Sequence, residues 1–253
     1  MRLSGRPLHS LLLALLPAAA AGTACASQEP RQQADAEAEA AADRARERLV
    51  ARIRGFARPV GEKDDPRVLE AMRTVPRHLF VPPAVRREAY ADHPLPIGEE
   101  QTISQPSLVA LMTQLLRPEP DDVMLEVGTG SGYQAAILSR LVRQVHSIEI
   151  VEPLARSAKQ RLAELGHANV EVRHGDGYLG WPEHAPFDGI IVTAGADHVP
   201  QPLVEQLKAG GRMVIPVGSM LGGQELLLIT KDEDGSVRER RIVPVRFVPL
   251  TRG

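Results

Sequence analysis

From Asp122 onward the chain alternates short apolar runs with stretches spaced like a helix. Val123 to Val127 reads as a buried strand, followed by a glycine turn and a helix through Ala135, Ala136, Leu138 and Leu141. Val145 to Ile150 reads as a second strand, and Pro153 to Leu165 as a second helix with proline suited to its first turn. Val170 to Val172 and Phe187 to Thr193 supply a third and a fourth strand. Val199 to Leu207 is helical, Gly210-Gly211 ends it, and Arg212 to Pro216 is a fifth strand. Glu225 to Thr230 and Arg241 to Val248, separated by the turn Asp232 to Gly235, form an antiparallel pair. This alternation predicts an α/β fold: a doubly wound, mostly parallel sheet with helices on both faces and antiparallel C-terminal strands.

Ahead of this domain, Leu49, Val50, Ile53 and Phe56 recur at helical spacing. Asp64-Asp65-Pro66 is a helix-start signal before Val68, Leu69 and Met72, and Pro76, Pro82 and Pro83 cut the region into short pieces. Ser27 to Ala42 is rich in Ala, Gln and Glu without a large apolar residue, and reads as a spacer. At the start, Arg2 and Arg6 precede an apolar run ending near Ala21, then Ala24-Cys25-Ala26. A basic start, a short apolar stretch and small residues describe a secretory signal. The run falls short of the ~20 apolar residues a spanning helix needs. Export to the periplasm is therefore expected, with Cys25 as a second candidate role, a lipid anchor, for which Gly22 is an unusual neighbour. Cytoplasmic residence, with the segment a start-codon artefact, is the alternative. The division is 1-26 signal-like, 27-42 spacer, 43-121 N-terminal helices and an active-site loop, and 122-253 the α/β domain, with 43-253 one catalytic unit.

Composition narrows the function. With 43% hydrophobic residues the chain supports a core, and a net charge of -2 lacks the positive field of a nucleic-acid binder. One cysteine excludes internal disulfides and four-cysteine zinc sites. None of the eight histidines shows a paired ligand spacing such as H-E-x-x-H, so no metal is expected. His78, His93 and His174 read as packing or turn residues. Neither Ser104 nor Ser131 sits in a G-x-S-x-G elbow, which argues against a serine hydrolase.

The turn Glu126-Val127-Gly128-Thr129-Gly130-Ser131-Gly132 lies between a strand and its helix, where an open α/β sheet places a ligand. A dinucleotide fingerprint would need glycine at the position of Tyr133. Glu149 ends the second strand, suited to accept ribose hydroxyls, and Asp176-Gly177 follows the third, in reach of an adenine. Glu126, Gly128, Gly130, Gly132, Glu149, Asp176 and Gly177 thus describe a nucleoside site without a pyrophosphate cradle, as S-adenosyl-L-methionine requires.

The segments Val75 to Pro82, Leu95 to Gly98, Gln101-Thr102-Ile103-Ser104-Gln105-Pro106, Leu125 to Tyr133, His174 to Gly177 and Val248 to Thr251 closely resemble protein-L-isoaspartate O-methyltransferases. The likeness covers roughly residues 45 to 253. It implies Ser104 as the active-site serine, Thr102, Ile103 and Ile97 on the substrate side, and Thr251 near the cofactor. It also implies a monomer acting on damaged proteins that carry L-isoaspartyl residues, whose methyl esters close to a succinimide. Glu99-Glu100 departs from the pattern and adds negative charge beside the substrate entrance. The acceptor carboxylate, with an ordinary pKa of roughly 4, is already ionised at neutral pH, so no general base is needed. Two other readings use the same fold: a small-molecule or RNA methyltransferase, and a non-catalytic S-adenosylmethionine-binding protein.

Overall fold

The computed structural model describes residues 29–219 and 222–252. The signal-like segment 1-26, with Cys25, lies outside the described residues. The chain divides into two compact units, Met1–Ala41 and Ala42–Gly253. In the first, the described residues are the start of helix α1 (Glu29–Ile53). Much of the predicted spacer is therefore helical. Ala, Glu, Gln and Arg are strong helix formers, so propensity supplies a helix where no apolar stripe announced one.

In the second unit Leu49, Val50 and Ile53 of α1 are buried. Phe56, placed on the same stripe by its spacing, lies past the helix end and is 44% exposed. Helix α2 (Pro66–Thr74) starts as its sequence signal predicts: Asp65 caps it by accepting the Arg67 N–H at 2.8 Å, with Pro66 at the first position. A hairpin of β1 (Leu95–Gly98) and β2 (Gln101–Ile103) precedes helix α3 (Pro106–Leu116), which is buried nearly all round. Its polar residues Ser107, Thr113 and Gln114 are themselves buried, so no solvent-facing stripe marks α3 in the sequence.

The main sheet has seven strands: β3 (Val123–Val127), β4 (Gln144–Glu149), β5 (Val170–His174), β6 (Phe187–Val192), β7 (Leu207–Ser219), β8 (Gly223–Lys231) and β9 (Val237–Val245). Their order is β5-β4-β3-β6-β7-β8-β9, the first five parallel and the last two antiparallel additions. Helices α4 (Tyr133–Ser139), α5 (Glu152–Glu164) and α6 (Gln201–Gln206) connect the parallel strands. Period-two alternation sorts the strand residues into two cores. Met124, Ile191, Val214 and Leu226 join the cluster of α1 to α4, while Leu125, Ile190, Met213 and Leu227 join the cluster of Trp181 and Leu203.

Among the boundaries that differ from expectation, two have a local physical reason. Gly210-Gly211 lies inside β7 and does not end a helix. A Cβ on Gly211 would sit 2.8 Å from the Lys208 carbonyl oxygen and 3.0 Å from that of Asp188, where the β6–β7 register shifts, so the glycine permits an irregular strand. β9 starts at Val237, earlier than its apolar run, because an edge strand can pair through backbone while Arg238 to Arg241 face solvent.

Candidate active site

The chain runs outward from β3 through β4 to β5, then crosses to β6 on the other side of β3. Such a reversal opens a crevice at the carboxyl ends of the strands. A cleft lies there. Glu126, Gly128, Gly130, Glu149, Gly177 and Thr251 all line it.

The glycine turn brings the backbone close. Gly128 has φ +95°, and a Cβ there would lie 2.6 Å from Thr193 Oγ1. Only glycine fits. Glu149, 6% exposed, accepts the Gly130 N–H at 2.7 Å through one carboxylate oxygen and the Val151 N–H at 2.9 Å through the other. Each oxygen retains acceptor capacity, the arrangement a ribose diol needs.

Glu126 is fully buried. One carboxylate oxygen accepts the Ser147 hydroxyl, which meets Thr129 Oγ1 at 2.6 Å; the other, Oε1, has no hydrogen-bond partner among the described residues. Burial pushes this carboxyl up to about 8, with the Ser147 hydrogen bond opposing and the Glu149 charge reinforcing the rise. A buried acceptor left open calls for a ligand or water. A cationic amino group meets that need and Glu149 offers acceptors to a diol, so the residues present fit S-adenosyl-L-methionine.

Three predicted residues fall outside the cleft lining. The Asp176 carboxylate accepts the Tyr178 N–H at 2.9 Å and so caps the turn Gly177–Leu179. Gly132 begins α4 and faces Leu162 of α5. Ile97 packs beneath Gly130 and lines a neighbouring depression with Ser131 and Arg161. Position beside the strand ends suggested Asp176 and Gly132, and the family likeness suggested Ile97; all three lie next to the cleft lining and not in it.

Thr102, Ile103 and Ser104 form another wall. Thr102 and Ser104 also line a second groove, with Phe56, Leu108, Arg246 and Phe247. Thr193 and Val248 border both depressions and were not foreseen. The available signal for Thr193 was its place at a strand's carboxyl end. Arg77 was also missed as a site residue. Its buried guanidinium donates from Nη2 to the Ser104 carbonyl and from Nε to the Ala89 carbonyl, each at 2.8 Å, and lies over the Tyr133 ring. Burial lowers its pKa to about 10, which leaves it charged at neutral pH. Asp92 holds the same loop by accepting the Ser107 N–H at 2.9 Å. Glu99 and Glu100 occupy the hairpin tip, with φ 51° and 57°, and line neither depression.

A reversal-point cleft with a glycine turn, a strand-end carboxylate and no pyrophosphate cradle defines an S-adenosylmethionine-dependent methyltransferase. The protein-L-isoaspartate(D-aspartate) O-methyltransferase family model matches residues 56–253, and the chain belongs to that family. Protein-L-isoaspartate O-methyltransferase 2 of Syntrophobacter fumaroxidans is 54% identical over 248 residues, covering 96% of each chain. Its counterpart from Polaromonas sp. is 57% identical, covering 81% of this chain and 98% of its own. A solved protein-L-isoaspartate O-methyltransferase superposes with TM-score 0.71 at 32% identity, covering 81% of this chain and 65% of that one. A Plasmodium falciparum protein described as a beta-aspartate methyltransferase, crystallised with S-adenosyl-L-homocysteine, gives TM-score 0.68 at 26% identity, covering 81% and 97%.

Proposed function

We propose that this chain transfers the methyl group of S-adenosyl-L-methionine to the free carboxylate of L-isoaspartyl residues in damaged proteins. The observation that carries the reading is the shared lining: Thr102 and Ser104 border both the cleft at the strand ends and the adjoining groove. A methyl transferase needs donor and acceptor sites that adjoin, so that the acceptor oxygen can reach the methyl carbon in line. The groove combines apolar Phe56, Leu108 and Phe247 with the cation Arg246, a surface suited to an acidic peptide.

The cofactor supplies an electrophilic methyl group on a sulfonium. The carboxylate oxygen bonds to the methyl carbon as the carbon–sulfur bond breaks, and no proton moves. The protein's contribution is therefore positioning and exclusion of water, which reach effective molarities of ~10⁵ M or more. Ser104 donates its hydroxyl to the acceptor carboxylate and aims it, while Glu126 and Glu149 hold the donor. Matched isoaspartyl and aspartyl peptides test the assignment. Methyl transfer is expected to favour the isoaspartyl peptide at least tenfold, about 1.4 kcal/mol in transition-state binding. Equal rates would refute it.

We further propose that residues 1-26 direct export. The support is the basic start and apolar run, together with the Syntrophobacter relative, whose 96% coverage of this chain requires part of that segment to align. Fractionation of the native host is expected to yield a shortened chain outside the cytoplasm, beginning near Cys25 or Ser27. An uncleaved cytoplasmic chain would remove this reading.

A further inference from the structure

His146 on β4, Glu171 on β5 and His184 in the short turn Pro182–His184 come from separate stretches of sequence, and none lines the catalytic cleft. Their ligand atoms lie within 4.8 Å of one another. His146 Nδ1 is 3.4 Å and His184 Nε2 is 3.6 Å from the same Glu171 oxygen, Oε2. Strand pairing fixes two of the three, because His146 and Glu171 are direct partners across β4 and β5.

The second observation concerns His146 itself. The residue is 5% exposed, packed against Trp181 and Phe187, and its Nδ1 is buried without a hydrogen-bond partner among the described residues. The Glu171 carboxylate stands beside it as an ion-pair neighbour at 3.4 Å. A buried ring nitrogen beside a carboxylate, without a hydrogen-bond partner among the described residues, calls for an occupant.

We propose that His146, Glu171 and His184 form a binding site for a divalent transition-metal ion of the zinc type, outside the methyl-transfer centre. Two imidazoles and one carboxylate are a donor set zinc accepts, with a fourth position left for water; the nitrogens disfavour magnesium and calcium. Donors at ~2.0–2.1 Å from a tetrahedral ion stand about 3.3–3.4 Å apart, close to the two separations from Glu171 Oε2. One adjustment is required. The two rings are stacked, centroids 3.9 Å apart and planes 17° from parallel, whereas a nitrogen lone pair lies in its ring plane. His146 is locked by its neighbours. His184 is exposed in a three-residue turn, and its ring swings so that Nε2 faces the ion. The ion then ties the connection after β5 to strands β4 and β5 at the edge of the sheet.

The test uses the full chain stripped with chelator and titrated with zinc chloride, followed by calorimetry and thermal unfolding. His184→Gln and Glu171→Gln change exposed groups and leave the core intact; circular dichroism checks each fold. The expected result is zinc bound at micromolar or tighter affinity with a raised Tm, both lost at least tenfold or entirely in each folded variant. Absence of micromolar binding to the wild-type chain overturns the proposal. So does wild-type affinity retained in either variant, which would place the zinc elsewhere on the chain.

Discussion

The buried guanidinium of Arg77 donates a hydrogen bond to the main-chain carbonyl of Ser104 at 2.8 Å, from a position 27 residues earlier in the chain. The same side chain grips the Ala89 carbonyl at 2.8 Å. One rigid fork thus ties the loop carrying Ser104 to the segment ahead of β1. A planar guanidinium does this in a way an ammonium cannot, because its donors diverge at fixed angles.

Arg77→Lys keeps the charge and loses the fork. The loop then samples positions in which the Ser104 hydroxyl no longer aims the acceptor. A fall in kcat of about tenfold is expected, equivalent to ~1.4 kcal/mol, with cofactor affinity unchanged. Steady-state kinetics paired with calorimetry would read the split. An unaltered kcat in the folded variant would show that the contact is only structural.

Ser104→Ala removes one hydrogen bond to a charged group, worth ~1.5–3 kcal/mol, or about ten- to two-hundredfold in rate. A residual rate is expected because the carboxylate is already nucleophilic. A single turnover with labelled cofactor and no peptide should leave no label on the protein. Label found at Ser104 and chased onto peptide would establish covalent catalysis in place of positioning.

Burial raises the Glu126 carboxyl to about 8 in the ligand-free chain, above its ordinary value of 4.5. The folded state therefore holds a proton that the unfolded state releases. This contribution to stability is full below 4.5 and is lost as pH rises through about 8. A cationic amino group beside Glu126 favours the ionised form, so cofactor binding should release a proton. Affinity is expected to strengthen between about pH 6 and 8, by at most roughly tenfold per pH unit. Calorimetry in buffers of different ionisation enthalpy measures the proton directly. Glu126→Gln should flatten the dependence, and a wild-type profile that is already flat would disconnect Glu126 from the cofactor.

Glu99 and Glu100 form the tip of the β1–β2 hairpin with φ 51° and 57°. A side chain with a Cβ costs roughly 1–2 kcal/mol in that left-handed region, and asparagine or glycine costs less. The double variant Glu99→Asn, Glu100→Gly should gain about 1–2 kcal/mol and raise Tm by a few degrees. Turnover of a neutral peptide should stay at the wild-type level, since neither glutamate lines the cleft or groove. A lowered Tm would mean the two glutamates are not strained.

The sequence by itself determined the architecture and the donor half of the site. Strand and helix periodicities are local, and the glycine turn, Glu126 and Glu149 sit at strand ends whose neighbours are set by chain order. Backbone geometry alone carries those residues to one crevice. The family likeness marked Ser104, Thr102 and Ile103, but not what holds them. Arg77 beneath Ser104, Phe56 and Arg246 in the groove, Thr193 and Val248 on the shared wall, and His184 beside His146 were decided only by the tertiary structure. These contacts join elements far apart in the chain. They depend on how helices and strands pack, on which side chains burial leaves unpaired, and on where the sheet reverses, none of which leaves a periodic trace in the order of residues.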